Sequence, residues 1–405
     1  MGKVRVGIIG AGASGYFAAI HAAMSGAEVT ILEKTSKSLA KVAISGGGRC
    51  NVTHNAPEVS KLVKNYPRGE KFLKKVFARF SVKDTVNWFE TRGVELKIEA
   101  DGRMFPTSDS SQSIINALVK EADRQGVSLK YGFGVERILP ADNGFLVEAK
   151  DKKLFFDKLI ICTGGFPKAE SFKFVQDLGH QIVSPIPSLF TFNTPKEPLT
   201  KLMGISVPDA LVKLEGTKLS YRGPLLITHW GISGPAVLKL SAFGAEWLFE
   251  KNYKSNVHIR WVHDMDEQGI VSSLNAFKSK HPKKKISGNP LFGLPSRLWE
   301  HLAEKSEINH DLLWQDLPKK QFHKLVQNLF CYIASLEGKT TFKDEFVTAG
   351  GVSLDEINPD SMESKLVPGL FFAGEVTNLD GITGGFNFQA AWSTGFLAGV
   401  SVNQQ

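Results

Sequence analysis

The spacing of apolar residues over the first 35 positions predicts three consecutive elements. Residues 4–9 form a short continuous apolar run, which is typical of a buried parallel strand. An alanine-rich stretch with helical spacing follows to about Ser25, and Gly26 is placed to end it. Residues 28–33 then have the composition of a second strand. The order strand, helix, strand predicts an α/β fold with a parallel sheet.

The rest of the chain continues with the same two kinds of pattern. Apolar or alternating runs predict further strands at 131–138, 159–165, 188–221, 255–262 and just after 370. Charged stretches with helical spacing predict helices within 70–92, 111–125 and 264–335, and a last helix from about Asn387.

A glycine-rich turn joins the first predicted strand to the first predicted helix. Gly10, Gly12 and Gly15 stand in the order G-x-G-x-x-G, and the intervening positions include Ala13 and Ser14. The first glycine of such a turn permits a tight bend, the second lets the backbone approach a pyrophosphate, and the third lets helix and strand pack closely. Glu33 ends the second strand, where it can accept hydrogen bonds from a ribose diol, and Lys34 follows it. The motif predicts a dinucleotide site at a helix N-terminus.

The other end of the chain indicates that this dinucleotide is FAD. Residues 370–399 combine an apolar strand, a pair of glycines and a helix start, as in the second signature of FAD proteins, with Asp380 at the ribityl or pyrophosphate region. A helix N-terminus that faces the N1–C2=O edge of a flavin stabilises the anionic reduced form. The strand that ends in Thr163 and two glycines resembles a third signature. The contacts predicted in these segments are Val135 beside the adenine, Thr163, Gly164, Gly374, Glu375, Asp380, Gly385, Phe386 and Asn387.

A loop with three consecutive glycines lies between these signatures. The glycine backbone can lie flat against a ligand, and Arg49 is a natural partner for a pyrophosphate or an anionic substrate. Disulfide reductases of this broad fold have a C-x4-C pair in this loop, but here Asn55 stands at the partner position of Cys50, so dithiol chemistry is disfavoured. The contacts predicted in the loop are Lys41, Ser45, Gly46, Gly47, Arg49, Cys50 and Asn51.

Five segments together resemble one family. They are SGGGRCN (45–51), RMFPTSDSSQSIINAL (103–118), THWGISGPAVLKLS (228–241), TAGGV (348–352) and GITGGFNFQAA (381–391). On these segments the chain closely resembles the BaiN/RdsA family of NAD(P)/FAD-dependent oxidoreductases over essentially its whole length. The sequence departs from the family pattern at His54, where Asn is expected, and at Cys162, where Ala is usual.

The resemblance implies a domain plan and a choice of activities. Both chain ends, 1–187 plus 343–405, are expected to form an FAD-binding Rossmann-like domain around a β-barrel-like part at 188–262 and a helical part at 263–342. The activities that the family implies are reduction of a uridine to dihydrouridine in large-subunit ribosomal RNA, a reductive step on steroid bile acids, and oxidation of an aminoketone. The fold alone does not choose among them. NAD(P)H is expected to bind transiently over the flavin, since no second G-x-G-x-x-G follows a strand.

Composition and charge narrow this choice. The 405 residues are 42% hydrophobic and 22% charged, which excludes a disordered chain, and three cysteines are too few for a disulfide framework and favour the cytoplasm. No apolar run approaches the roughly 18 residues of a membrane helix, so no membrane partner is expected. The formal charge of +8 favours RNA over a steroid or an aminoketone. The basic cluster from Lys278 to Lys285 is the predicted RNA contact, and a solvated lysine-rich loop is the alternative.

The favoured hypothesis is an enzyme that reduces uridine in ribosomal RNA. Hydride passes from NAD(P)H through FAD to C6 of an unstacked uracil, and a general acid protonates C5. Cys50 is the first candidate for this acid, because a thiol with a pKa of about 8.5 is mostly protonated at neutral pH, and His229 is the second. The alternative for Cys50 is a packed loop residue without a proton to transfer.

Two other function classes stay open. One is an amine or aminoketone oxidase that hands electrons to oxygen, and the other is a ribosome-assembly factor that keeps FAD as a structural group. The spacing of His and Cys matches no metal site, and the sequence contains neither a G-x-S-x-G elbow nor a lysine-bearing phosphate loop. Metal-dependent, hydrolase and NTPase activities are therefore disfavoured.

Overall fold

The structure is a computed structural model that describes residues 2–340 and 347–404. Its strands are β1 Arg5–Ile9, β2 Glu28–Leu32, β3 Thr53–His54, β4 Leu96–Ile98, β5 Arg103–Pro106, β6 Ser128–Lys130, β7 Arg137–Ala141, β8 Gly144–Ala149, β9 Lys152–Phe156, β10 Lys158–Ile161, β11 Ile182–Pro187, β12 Thr191–Asn193, β13 Ser206–Leu214, β14 Ser220–Ile227, β15 Gly231–Ser233, β16 Lys254–Arg260, β17 Tyr332–Glu337, β18 Lys339–Thr340, β19 Thr348–Val352 and β20 Leu370–Phe372. Its helices are α1 Ala13–Met24, α2 Ala40–Gly48, α3 Val59–Leu62, α4 Glu70–Arg79, α5 Val82–Glu90, α6 Ser111–Arg124, α7 Lys173–Gln176, α8 Pro235–Phe243, α9 Ala245–Glu250, α10 Glu267–Lys280, α11 Ser296–Lys305, α12 Lys319–Phe330 and α13 Phe386–Ser401.

The chain divides into two compact units. Both ends of the chain, Met1–Pro187 and Lys343–Gln405, form the first unit, and Ser188–Phe342 forms the second. The junction at 342/343 lies outside the described residues.

A parallel sheet in the order β20-β10-β1-β2-β6 is the centre of the first unit. Its middle strand, β1, is buried from Val6 to Ile9, as expected for a parallel strand covered on both faces. Because the carboxyl ends of parallel strands lie at one edge of a sheet, the turns after β1, β2, β10 and β20 gather at that edge. The predicted α/β class with a Rossmann-like parallel sheet is confirmed.

The first and last helices of the chain pack against each other in this unit. Gly395 and Gly399 of α13 make the close approach possible, because a Cβ added at these positions would lie 2.7 Å and 2.5 Å from the carbonyl oxygens of Ser14 and Ala18. A side chain at either glycine would therefore push α13 away from α1.

Small antiparallel sheets complete the first unit, in the orders β3-β5-β4, β7-β8-β9 and β11-β19. The helices predicted within 70–92 and 111–125 are confirmed as α4, α5 and α6. The strand predicted at 131–138 is wrong, since β6 ends at Lys130 and β7 begins at Arg137. Gly132 breaks the extended backbone there with a φ of 64°.

The second unit is built on an antiparallel sheet in the order β17-β16-β13-β14-β15-β12-β18. Gly338 alone separates the two edge strands, β17 and β18. Its N–H donates to the carbonyl O of Tyr253 (2.8 Å), just before β16, and its carbonyl O accepts from the N–H of Asn193 (3.1 Å) in β12. The sheet therefore curves until its two edges meet, which gives it the form of a barrel.

The helical pattern predicted over 264–335 is confirmed as α10, α11 and α12 and is wrong after Phe330. The following segment is strand β17, in which burial alternates: Tyr332 and Ala334 are buried and Ile333 between them is exposed. Helices α8 and α9, within 188–262, were not predicted.

In the part of the chain that the structure describes, no helix has the length and apolar character needed to cross a membrane. The described residues also contain no group of three or more His, Cys, Asp or Glu side chains that could hold a metal ion.

Candidate functional site

The three glycines of the first turn have three different surroundings. Gly10 has a φ of 107°, and a Cβ added there would lie 2.5 Å from the carbonyl O of Cys162. A Cβ at Gly15 would lie 2.0 Å from the carbonyl O of Gly10. A Cβ at Gly12 would meet no atom within 4 Å. Packing therefore requires Gly10 and Gly15, whereas Gly12 lines open space, as a cradle for a ligand does.

Helix α1 begins at this cradle. The N-cap residue, Gly12, has no side chain to accept from the first N–H groups of the helix. These groups, at Ala13 and Ser14, lie at the positive end of the helix dipole. The hydroxyl of Ser14 points into the protein, since a Cβ added at Gly374 would lie 2.6 Å from it. The helix start offers main-chain donors, which is the usual arrangement for binding a pyrophosphate.

Glu33 lies directly after β2 at the same edge of the sheet. Its Oε2 accepts from the N–H of Ala11 (3.0 Å), and its Oε1 accepts from the N–H and the hydroxyl of Thr35 (both 2.8 Å). A carboxylate has about four lone-pair positions, so these three bonds fix the group and leave about one position for a ribose hydroxyl. Lys34 is exposed, with its ammonium 6.0 Å from the ring centroid of Phe166.

Val135 belongs to an irregular segment beside this carboxylate. The N–H of Phe133, two residues earlier, donates to the carbonyl O of Glu33 (2.8 Å), and Val135 itself is half-buried. The predicted adenine contact of Val135 therefore has to come from a loop and not from a strand.

The three consecutive glycines at the end of α2 have a backbone that requires glycine. The helix is interrupted at Ser45, which is extended with a ψ of 148°, and Gly46 and Gly47 follow in the left-handed region. A Cβ at Gly46 would lie 2.8 Å from the ring of Phe105, whereas a Cβ at Gly47 or Gly48 would meet no atom within 4 Å. The second and third glycines thus expose a stretch of main chain to open space.

Arg49 already has partners within the protein. Its Nη1 lies 2.6 Å from a carboxylate oxygen of Glu99 and 3.4 Å from one of Asp109, and its guanidinium lies 4.0 Å from the ring centroid of Phe105. Hydrogen bonds from Lys97 and then from Arg49 lower the pKa of the Asp109 carboxyl. A phosphate would have to compete with two carboxylates for Arg49.

Cys50 is enclosed. The residue has no exposed surface, and its φ of 62° is unusual for a residue with a side chain. Burial raises the pKa of the thiol to about 12, so the thiol keeps its proton at neutral pH. The lack of exposed surface favours a packing role over the predicted proton transfer.

Asn51 links the glycine loop to the last helix. Oriented to satisfy both of its neighbours, its side-chain amide donates to the carbonyl O of Thr53 (3.0 Å) and accepts from the N–H of Gly385 (3.0 Å). Gly385 has a φ of 93°, and a Cβ there would lie 2.5 Å from the carbonyl O of Thr53. The N–H of Gly385, predicted to face the flavin, is therefore used inside the protein.

Glu375 connects three segments at the sheet edge. Its Oε2 lies 2.8 Å from the ammonium of Lys41, and its Oε1 accepts from the N–H of Thr348 (3.1 Å). The turn that follows β10, Thr163 to Gly165, lies against the same side chain, since a Cβ at Gly165 would lie 3.2 Å from the Cγ of Glu375. The structure thus brings Lys41, Gly164 and Glu375 together.

The carboxylate of Asp380 is enclosed and paired inside the protein. The side chain has no exposed surface, and its two oxygens accept from Nε and Nη2 of Arg68. Asp380 thus anchors the chain before α13 through a buried ion pair, and its contact with the ribityl or pyrophosphate region stays a prediction.

Helix α13 begins at Phe386, one residue earlier than predicted, and no side chain caps it. The carbonyl O of Phe386 accepts from the hydroxyl of Tyr66 (2.7 Å). The side-chain amide of Asn387 exchanges two hydrogen bonds with the main chain of Gly381, each 2.8 Å long. These contacts fix the helix start, where the N–H groups of Phe386 and Asn387 stand at the positive end of a 16-residue helix.

A family model described as the HI0933-like protein Rossmann domain matches residues 4–401. The chain belongs to this family. Among its relatives, a 3-dehydro-bile acid delta(4,6)-reductase of Clostridium scindens is 30% identical over 98% of both chains. A ribosomal RNA dihydrouridine synthase of Escherichia coli is 31% identical over 96% of this chain and 95% of the relative, and one of Haemophilus influenzae is 28% identical over 98% of both.

A solved structure supports the same fold. The 3-ketosteroid-delta4-(5alpha)-dehydrogenase of Rhodococcus jostii RHA1 aligns with 100% of this chain and 97% of its own, at a TM-score of 0.52 and 18% identity. The family resemblance predicted from five sequence segments is confirmed, and the HI0933-like chain has a Rossmann-type domain, the fold that the sequence motifs predict to bind FAD. The open cradle at Gly12, the fixed Glu33 carboxylate and the start of α13 fit such a cofactor.

Sequence reasoning missed the side chains that hold α13 in place. Gln389 is fully buried and accepts from the hydroxyl of Thr53 (2.6 Å) while it donates to the hydroxyls of Thr85 (2.9 Å) and Ser393 (3.0 Å). The signal in the sequence was the polar side chain of Gln389 within a helix of mainly apolar residues. His54 stacks on Phe386 with ring centroids 4.6 Å apart.

His229 belongs to the second unit. It occupies the turn between β14 and β15. A hydrogen bond from the N–H of Gly231 to the hydroxyl of Thr228 (3.2 Å) closes this turn. The imidazole is exposed, and its ring centroid lies 4.0 Å from that of Trp230. Of the two predicted proton donors, His229 is thus the accessible one.

Proposed function

We propose that this protein reduces uridine to dihydrouridine in large-subunit ribosomal RNA, with FAD as bound cofactor and NAD(P)H as transient electron donor. The observation that carries the proposal is a formal charge of +8 in a chain whose full-length relatives include two named ribosomal RNA dihydrouridine synthases. A cationic surface binds a phosphate backbone, whereas a steroid has no such requirement.

The charge distribution supports a polyanionic substrate. The stretch 188–342 holds 20 basic and 14 acidic residues, so it carries six of the eight excess charges. In the basic cluster, Lys278 donates to the carbonyl O of Leu317 (3.3 Å) and Lys285 pairs with Asp311 (2.7 Å), while Lys280 and Lys283 are exposed. Exposed pairs contribute about 0–1 kcal/mol, so a phosphate can replace the carboxylate of Asp311.

The side chains and main chain of this protein have separate tasks in the proposed reaction. FAD, when bound, supplies a two-electron carrier between NAD(P)H and the substrate ring. The N–H groups at the start of α1 would hold its pyrophosphate, Glu33 would accept from its ribose, and the start of α13 would add positive potential. The proton at C5 of the uracil needs an acid, and of the two candidates Cys50 is enclosed whereas His229 is exposed.

A second candidate function is reduction of a steroid enone. The observation that favours it is the relative named as a bile acid reductase, which is as similar to this chain as the RNA-modifying relatives are. The C5=C6 bond of uracil and the Δ4 bond of a 3-oxo steroid are both conjugated to a carbonyl. Reduction of either double bond needs a hydride at one carbon and a proton at the other, so the same chemistry serves both substrates.

Mass spectrometry of ribosomal RNA from cells with and without the gene tests the proposal. We expect one dihydrouridine to disappear in the deletion and to return when purified protein, FAD and NAD(P)H act on the deficient RNA. The His229→Gln variant should keep bound FAD and lose most of this activity, whereas exposed Lys150→Gln should behave like wild type. Unchanged dihydrouridine in a strain without a second copy would refute the proposal, and turnover of a 3-oxo-Δ4 steroid, or peroxide release with an amine, would replace it.

A further inference from the structure

We infer that the exposed face of α4, which we call the α4 basic face, binds the phosphate backbone of RNA. The face consists of Lys71, Lys74, Lys75 and Arg79, with Lys83 at the start of α5. This inference rests on the proposed function, because it takes RNA as the substrate, and it assigns a binding surface in the unit that carries the flavin site.

Positive charge is concentrated at this place in the first unit. The segment 61–83 holds eight basic residues and one acidic residue, Glu70. The rest of the first unit holds 21 basic and 26 acidic residues. The field of this unit therefore attracts a polyanion at α4 and repels it elsewhere.

The cations of the α4 basic face are not neutralised inside the protein. In the same segment, Lys61 pairs with Glu58, Lys64 with Glu70, and Arg68 with Asp380. Within the described residues, no carboxylate pairs with the five cations of the face, and all five are exposed. Phosphates can approach these cations without displacing another partner.

The apolar side of α4 distinguishes RNA from a membrane as the partner. Leu73, Val76 and Phe77 are buried in the protein core, and the ring centroid of Phe77 lies 5.5 Å from that of Tyr66. An interfacial helix must bury its apolar side in the lipid to bind a bilayer. Since α4 has its apolar side in the core, its exposed face offers charge alone.

The same helix is joined to the candidate flavin site. The carbonyl O of Asn65 accepts from the N–H of Ile382 (2.9 Å), and Arg68 holds Asp380. A Cβ at Gly69, the N-cap of α4, would lie 2.0 Å from the side chain of Leu379. The segment that leads into α4 thus runs along the segment that leads into α13, and RNA bound on α4 is held beside the start of that helix.

Two fourfold lysine variants of the full-length protein test the inference. In the first, Lys71, Lys74, Lys75 and Lys83 are changed to Gln, which keeps helix propensity and removes four charges. In the control, the exposed lysines at 3, 120, 150 and 168 of the same unit are changed to Gln. The probe is protein-free 23S ribosomal RNA from the deletion strain, and binding is measured by filter retention between 50 and 200 mM salt.

We expect the α4 variant to bind at least about tenfold more weakly at 100 mM salt, and the slope of log K against log salt to fall by about 3, at roughly 0.7–0.9 per lost phosphate contact. The control should bind like wild type. The inference is overturned if the wild type does not bind the RNA, if the α4 variant binds it like wild type, or if both variants weaken equally. The same proteins are also tested on anionic phosphatidylserine vesicles, and a loss of binding to the vesicles alone would overturn the inference as well. Binding is scored separately from dihydrouridine formation, so failure of the proposed reaction and failure of this surface are distinguishable.

Discussion

Replacing Gly12 and Gly15 by Ala, one at a time, should separate cofactor binding from folding. A methyl group at Gly15 would lie 2.0 Å from the main-chain oxygen of Gly10, whereas a methyl group at Gly12 would enter open space. Gly12 also has a φ of −89°, which alanine adopts without strain. We therefore expect Gly12→Ala to damage FAD binding alone and Gly15→Ala to damage the protein.

The surroundings of the two positions set the expected magnitudes. At Gly12, the cost of alanine at an N-cap and the reduced entropy of the unfolded chain nearly cancel, so the free energy of unfolding should change by less than about 1 kcal/mol. The methyl group would prevent one or two charge-assisted hydrogen bonds to a pyrophosphate, each of about 1.5–3 kcal/mol. Loss of two such bonds lowers the affinity for FAD at least about a hundredfold. At Gly15, a clash with rigid main chain should cost about 3 kcal/mol or more.

Two measurements on the apoproteins of the Gly12→Ala and Gly15→Ala variants check these expectations. Urea unfolding gives the free energy of unfolding, and quenching of flavin fluorescence during titration gives the affinity for FAD. The reasoning is refuted if Gly12→Ala destabilises the apoprotein as much as Gly15→Ala does, or if it binds FAD within threefold of wild type.

Four further predictions concern groups that are buried or partly buried. Asp380→Asn should lower the free energy of unfolding in urea by about 3–5 kcal/mol, because it leaves the Arg68 guanidinium buried without its counter-charge, and a loss under 1 kcal/mol would contradict the buried pair. Burial lowers the pKa of His21 to about 4, so the unfolded chain binds its proton first and stability should fall by up to about 3 kcal/mol as the pH drops from 6.5 to 4; His21→Gln should flatten this dependence in urea titrations. In the native protein Cys331, which is partly exposed, should react with Ellman's reagent and Cys50 should not. Cys50→Ala should retain FAD and turnover within about threefold, whereas a loss above a hundredfold with FAD bound would make it the proton donor.

Main-chain features of the site were the most predictable from sequence. Glycine has few replacements where φ is positive or another backbone is close, so the turns at Gly10, Gly15 and Gly46 are encoded locally and a motif can find them. The start of α13 was predicted within one residue for the same reason, since Gly385 precedes it.

Side-chain partners were less predictable, because they depend on residues far away in the chain. Nothing near Asp380 in the sequence shows that Arg68, 312 positions earlier, donates to both of its carboxylate oxygens. Arg49 likewise finds Glu99 and Asp109 only through the fold. The strand at β17 was missed because its alternation continues directly from the helical pattern of α12.

The close packing of α1 against α13 has a consequence for the order in which the chain folds during synthesis. The surface of α1 that receives Gly395 and Gly399 is complete once residue 24 has been made, but its partner helix α13 is synthesised only after the whole second unit. At about 5–20 residues per second, the nascent helix waits about 20–75 s for it. The second unit is continuous in sequence and can fold during that interval, so the first unit matures after the second.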